Sequence, residues 1–491
     1  MGQKLIEVHF ALITEFGGTG SQNVTIGTLS NDVLLEIFFF YVDQAKMTEQ
    51  WHTLVHVCRR WRYLVFARPR RLCLRLLCTE KTPVRRMLDI WPALPIVIWN
   101  SGDPTSLVEG ADNIIAALEH HDRVRNISLW RIPNFLWERF TSVMQQPFPV
   151  LTSLALLPHA NMVPTLPESF LGSPGSTPRL KTLWLDSIQF PTIQKLHLSA
   201  GGLAYLHIFN IPHSGYVSPI AMVTYLSSLT SLESLILGLH SPRSRPDGEG
   251  RHLPPLTRTV FPALTSLEFR GASEYLEGFI SRVDVPLLNE IKIRFFNQLV
   301  WHNPQLLQFI GLAKQLRLSN YAELIFYKHS AMVRLSQRTG TIDRATLELA
   351  ISCTPLDWQL SSLTQICGSI SPSLKLERLD IRDDQHWQPH LQRDTDSVQW
   401  LEVLCSFTTA TTLYLSKKVG QRVALALQDL VREPVAEVLP ALQNISLEGL
   451  QSSGAAQEAI ERFVTARRLL GHTVLVHPWE RDIQIRDVVD D

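Results

Sequence analysis

One pattern recurs through most of this chain and limits what it can fold into: apolar-x-x-apolar-x-apolar. It occurs as Val124/Ile127/Leu129, Leu151/Leu154/Leu156, Leu180/Leu183/Leu185, Leu203/Leu206/Ile208, Leu232/Leu235/Leu237, Leu264/Leu267/Phe269 and Leu288/Ile291/Ile293. It resumes as Leu376/Leu379/Ile381, Ala410/Leu413/Leu415 and Leu442/Ile445/Leu447. A weaker copy lies at Ala313/Leu316/Leu318 and a partial one at Leu347/Leu349. From Ile127 to Ile445 the spacing averages about 29 residues, at or just above the length of leucine-rich repeats. The last two apolar residues of each copy alternate with polar ones. That predicts a short strand with one buried face.

The stretches between copies include helix-compatible pieces at 133–144, 219–228, 275–283 and 451–470. Each repeat therefore reads as strand, turn, and helical or irregular return, with the strands stacked into one parallel sheet. The full leucine-rich pattern asks for Asn or Cys three residues after the last Leu, where its side chain serves buried backbone groups. Ile132, Ile188, Ile211 and Leu450 stand there instead, so those groups need other partners and an irregular array is expected. Residues 164–178 and 241–255 are rich in Pro, Gly and polar residues, and read as loops.

Ahead of the array lies a different period. Leu34, Ile37, Phe38 and Tyr41 recur at helical spacing, and so do Leu54, Val57, Cys58 and Trp61, followed by Leu64 and Val65. Two amphipathic helices are predicted within 28–66. Ser30-Asn31-Asp32 supplies a cap and early negative charge for the first. Pro69 stops the second. A strand over 72–77, a helix over 84–91 and a strand over 94–99 follow. Residues 1–27 read as a flexible leader; Gly17-Gly18-Thr19-Gly20 lacks the last glycine of a dinucleotide loop, Asn23 taking its place.

The 28–66 stretch resembles an F-box. That pattern begins Leu-Pro, continues with an acidic residue, an apolar pair and Ile-Phe, and closes on Val-Cys-x-x-Trp. Here it reads Leu29-Ser30-Asn31-Asp32-Val33-Leu34, then Ile37-Phe38, then Val57-Cys58-Arg59-Arg60-Trp61, departing at Ser30 where Pro is usual. Residues 28–480 further resemble a large, divergent group of F-box proteins from mushroom-forming fungi, on the phrases WPALPIVIW at 91–99, SEYLE at 273–277, DWQLSSL at 357–363 and LPALQNISLEGL at 439–450. The expected fold is thus α/β: a helical F-box at 28–71, an irregular leucine-rich-repeat-like solenoid at 72–480, and an acidic tail at 481–491.

Composition narrows function. Lys plus Arg equals Asp plus Glu, 46 each, so net charge gives no argument for nucleic acid or anionic lipid. Ten basic residues nonetheless crowd 59–86 against the single Glu80. That run is open to four readings: nucleic-acid binding, nuclear import, docking to an acidic protein, or a solvated face. Six scattered cysteines without paired C-x-x-C spacing suggest a reducing compartment and no zinc site. No signal peptide and no membrane span are expected.

No catalytic or cofactor motif survives inspection. His120-His121 reads as a solvated helix end, and Asp383-Asp384 with His386 as a polar loop. Trp130, Trp184 and Phe209 lie in or just after strand triplets, as weak candidates for target binding or as parts of an irregular core.

The resemblance implies a non-catalytic substrate receptor of an SCF-type cullin–RING ubiquitin ligase, cytoplasmic or nuclear. Leu29, Leu34, Ile37, Phe38, Val57, Cys58, Trp61 and Leu64 would meet the acidic adaptor subunit or the protein's own interior. The repeats would hold a target protein. No cofactor, metal, nucleic acid or membrane is expected. The alternative is a repeat-based interaction scaffold that does not engage a ligase.

Overall fold

A computed structural model describes residues 26–44, 51–159, 163–240, 258–296, 303–312, 318–339, 342–370, 375–384, 396–429, 438–449 and 454–479. The expected leader, the 241–255 loop and the acidic tail lie outside these residues, apart from a short 3-10 turn at Ile26–Thr28. The chain divides into two compact units, 1–128 and 129–491.

In the first unit the helix Asn31–Gln44 begins where Ser30 predicts: the Val33 amide donates to Ser30 Oγ at 3.3 Å. The second predicted helix is two helices, Trp51–Val57 and Arg59–Ala67. Cys58 breaks them with extended backbone and caps the second without a side-chain bond. Arg62 Nε then donates to the Val55 carbonyl at 2.9 Å, satisfying an acceptor left open at the first helix's end.

The helices pack against strand-bearing chain of the same unit. Trp51 is buried, its Nε1 donating to the Arg75 carbonyl at 3.0 Å, and its ring meets Phe66 and Trp91. The strand expected over 72–77 is shorter: 70–73 form a turn and β1 is Leu76–Cys78. The predicted inward face of Leu72, Leu74 and Leu76 is nonetheless buried. Next come the helix Val84–Ile90 and β2, Ile96–Trp99. β3, Val124–Ile132, starts in this unit, with Ile98 paired to Ile127 in parallel.

The second unit contains β4 (Ser153–Pro158), β5 (Thr182–Asp186), β6 (Tyr205–Ile211), β7 (Ser234–Leu239), β8 (Thr259–Val260), β9 (Ser266–Gly271), β10 (Val283–Asp284), β11 (Glu290–Phe295), β12 (Tyr321–Phe326), β13 (Ser330–Thr339), β14 (Ile342–Ser352), β15 (Arg378–Asp383), β16 (Thr412–Leu415), β17 (Asn444–Glu448) and β18 (Leu475–Trp479). Strands β8 and β10 form a small separate pair. The others form a mostly parallel sheet whose register aligns the repeat anchors one to one. Leu154 pairs with Leu183, Leu183 with Leu206, Leu206 with Leu235, Leu235 with Leu267 and Leu267 with Ile291. On the far side Leu379 pairs with Leu413 and Leu413 with Ile445. All of these are buried, beneath connecting helices such as Asn134–Val143, Pro219–Leu226, Ser273–Ile280 and Ala455–Leu469.

The all-parallel expectation needs correction between β11 and β15. The order there is β11-β14-β13-β12-β15, and β13 runs antiparallel to both neighbours. The partial copy Leu347/Leu349 is real, paired with Ile291/Ile293. Of the weaker copy at Ala313/Leu316/Leu318, 313–317 lie outside the described residues; Leu318 is 54% exposed and outside any strand, and Ala322/Leu324 take the anchor positions against Leu379/Ile381.

The missing Asn or Cys is replaced by a backbone device. Arg131, Ser187 and Asn210 adopt left-handed φ values of 55°, 56° and 48°. The residue after each, Ile132, Ile188 or Ile211, is buried. Backbone bonds between turns satisfy the peptide groups: His159 N–H to the Ile132 carbonyl at 2.9 Å, Ser187 N–H to Phe209 at 3.0 Å and His240 N–H to Ile211 at 3.0 Å.

Candidate binding surfaces

The helical segment of the first unit has two apolar faces. Leu34, Leu35, Phe38, Leu64 and Val65 are buried, and Phe38 meets the half-buried Trp61 ring at 4.7 Å. The other face of the first helix holds Val33, Ile37 and Phe40 at helical spacing, and Phe40 is 62% exposed. Val57 is 58% exposed and Cys58 is exposed, because the break at Cys58 removes them from the predicted stripe; Tyr63, outside that stripe, is 73% exposed. Leu29 and Ile37 are half-buried. The eight residues singled out from the resemblance therefore separate into an inward set (Leu34, Phe38, Leu64), an outward set (Val57, Cys58) and a partly covered set (Leu29, Ile37, Trp61).

Arg60 holds this arrangement together. Its guanidinium donates to the Leu29 carbonyl at 2.6 Å and to Asn31 Oδ1 at 2.8 Å, fixing the start of the first helix. Tyr41 Oη and Thr53 Oγ1 are 3.2 Å apart across two helices. Part of the basic run is thereby occupied: Arg71 pairs with Glu36, and Arg85 with Glu119 at 3.4 Å.

In the second unit the sheet face away from the buried leucines carries a row set by register. Trp184 pairs with His207, His207 with Ile236, Ile236 with Glu268, Glu268 with Lys292, and Lys292 with Glu348. The row continues through Arg334, Glu323, Asp380 and Tyr414. Ion pairs run along it. Arg334 bridges Glu348 and Glu323 at 2.9 Å each, Arg382 reaches Glu323 at 2.7 Å, and Lys292 reaches Glu290 at 2.8 Å. Burial pushes the Glu268 carboxyl above its ordinary range, against the pull of Lys292 and Arg294. Burial opposes the charge of Lys292, but its bond to Glu290 and the carboxylates around it outweigh that and raise its pKa.

Of the aromatic candidates, Trp130 and Trp184 meet at 5.7 Å, edge to face. Ala155, paired with Trp184 on the strand between them, is small enough to let the rings touch. Trp184 also meets His207 at 5.2 Å and stays 37% exposed. Phe209 does not join the indoles. It is paired with Asp186 and sits against Gly238, with the Arg270 guanidinium 5.6 Å from its ring centroid.

Two other sequence candidates are structural. Buried Asp383 accepts from Ser416 Oγ and lies 3.6 Å from Lys418 Nζ; His386 lies outside the described residues. His120 and His121 follow the helix Ala111–Leu118 in a turn. Among the described residues no group of three or more His, Cys, Asp or Glu is placed to hold a metal, and no helix is long and apolar enough to cross a membrane. Sequence reasoning missed Val33, Phe40, Tyr63, Arg270 and Arg294. The two arginines show up only when the residue after each strand's second anchor is read as a column.

No family model matches this chain, and no curated protein does. Among solved structures it is similar to the leucine-rich repeat-containing protein LegL7 from Legionella pneumophila, at 14% identity. That match covers 66% of this chain and 93% of that one, with a TM-score of 0.29. A likeness this distant assigns no function.

Proposed function

We propose that this chain is a non-catalytic receptor. In this reading the strand face of the second unit holds a target protein. The helices between residues 31 and 67 dock on the adaptor subunit of an SCF-type cullin–RING ubiquitin ligase. The observation that carries the docking half is the outward apolar face formed by Val33, Ile37 and Phe40, with Val57 and Tyr63 also exposed. A helix apolar on both sides, with one side covered by its own fold, has surface left for a partner. Each large side chain fully covered there would contribute about 1.5–3 kcal/mol, and Arg59, exposed beside Cys58, suits an acidic rim. Ligase function then follows from proximity, by raising the effective concentration of target lysines. The receptor would work in the cytoplasm or nucleus, and the reading involves neither nucleic acid nor membrane.

A second reading, a repeat-based scaffold without ligase engagement, is favoured by one observation. The break at Cys58 interrupts the Val-Cys-x-x-Trp helix that the resemblance expects. Co-purification of the full chain with the adaptor separates the two. The receptor reading expects retention by wild type and loss in Phe40→Asp/Val57→Asp, with an unchanged melting temperature. Failure of the wild-type chain to retain the adaptor leaves the scaffold.

A further inference from the structure

We propose that Arg270 and Arg294 form a seat for a carboxylate side chain of an extended acidic peptide on the target protein. This rests on the reading that the strand face holds that target.

The two arginines are register partners on β9 and β11, so like charges lie side by side, an arrangement that destabilises a sheet. Both are half-buried. Other cations of this face are engaged: Lys292, Arg334, Arg378 and Arg382 each lie within 3 Å of a carboxylate oxygen. Among the described residues neither Arg270 nor Arg294 has a carboxylate within ion-pair distance, and Arg270 Nε is buried with no hydrogen-bond partner.

Small residues flank the pair in register, Gly238 beside Arg270 and Ala350 beside Arg294. Phe209 leans over Gly238, where an added Cβ would come within 2.7 Å of its ring. The result is two forked donors set between covered small residues, with a ring on one side. Paired guanidinium groups match the two oxygens of a carboxylate.

Charge selects the class of anion. Asp186 acts on Arg270, and Arg294 acts on Glu268. Part of the positive charge is thus already offset. A monoanion balances the remainder, whereas a doubly charged phosphoryl group would meet those two carboxylates.

Trp184 sets the length of the peptide. It lies three strands across and two residues along from Arg270, about 16 Å at about 4.8 Å per strand and about 3.3 Å per residue. An extended chain running diagonally over the strands spans that in about five residues. The peptide therefore has Asp or Glu about five residues from an aromatic or aliphatic side chain that rests on Trp184.

The test is selection of random dodecapeptides displayed on phage against the full chain, followed by fluorescence polarisation with the synthetic consensus peptide. The expected consensus holds Asp or Glu at that separation from an apolar residue. Its affinity should fall at least about tenfold in Arg270→Gln/Arg294→Gln, whose melting temperature should not drop because a repulsive pair has been removed. A lowered melting temperature would instead make the pair structural and overturn the seat. Binders that depend on Trp184 but lack an acid, or ignore the arginine variant, overturn the seat and leave the strand-face reading standing. Tighter binding when phosphoserine replaces the acid overturns the assignment to a carboxylate. If no binder is selected, or binders ignore both Trp184→Ala and the arginine variant, the strand-face reading falls too.

Discussion

Arg378 sits over the Tyr414 ring, 3.6 Å from its centroid, while its Nε and Nη2 grip both oxygens of Asp380 at 2.7 and 2.8 Å. Tyr321 Oη donates to the same carboxylate at 2.9 Å. One guanidinium thereby joins three neighbouring strands, β12, β15 and β16. Arg378→Lys keeps the charge but loses the planar fork and the stacking. We expect a stability loss of about 1–2 kcal/mol, read as a lower urea midpoint with an unchanged slope.

His207 supplies a pH dependence. Burial pushes its pKa below the ordinary 6.5, and neither ring nitrogen has a hydrogen-bond partner. Above that value the ring is neutral in both folded and unfolded chains. As pH falls below it the unfolded chain takes up a proton that the folded one resists, so stability drops until the folded value is passed. His207→Phe should flatten the stability profile in that window, measured by denaturant titration across pH 5 to 7.

Gly110 packs directly against the backbone of Glu80. A Cβ there would lie 2.0 Å from the Glu80 carbonyl oxygen, which also accepts from Asn113 Nδ2 at 2.9 Å. Backbone cannot yield as a side-chain tip does. Gly110→Ala should cost about 3 kcal/mol or more, seen as a loss of several degrees in melting temperature.

The repeat turns predict opposite signs at two positions. Ile188 is buried after a left-handed Ser187. Restoring the conventional residue by Ile188→Asn puts a polar group into an apolar slot and should cost about 2–4 kcal/mol. Arg131, exposed at φ 55°, should gain up to about 1 kcal/mol on substitution by Gly. Calorimetric melting of the two variants checks both.

The same turns show how far the sequence could be read. The anchors were legible because period and burial coincide: each Leu or Ile in the main triplets points inward, and the spacing allows a strand per repeat. The absent Asn was legible too, but its substitute was not. A left-handed Arg131 or Ser187 has no compositional mark, unlike the glycine usual at such a φ. The break at Cys58 was hidden because Leu54 to Trp61 keep helical spacing straight through it. The reversed β13 was hidden because an apolar run such as Ala331-Met332-Val333 carries no mark of strand direction.

The candidate surfaces were partly legible. Trp130 and Trp184 stood out as large rings beside strand anchors, and they do meet. Arg270 and Arg294 lie 24 positions apart in the chain and become neighbours only through the register of β9 and β11. The outward face of the first helix was masked by its inward face, because a single apolar stripe already explained the pattern.

The reversed β13 bears on how the second unit assembles. In an unbroken array each repeat finds its neighbour after one short closure, and order spreads stepwise from any start. Here β11 must wait for β14, with β12 and β13 made in between. That longer closure divides the unit into two cooperative blocks that meet at a kinetic seam. Amides of β5–β9 and of β15–β17 are then expected to exchange hydrogen as separate groups.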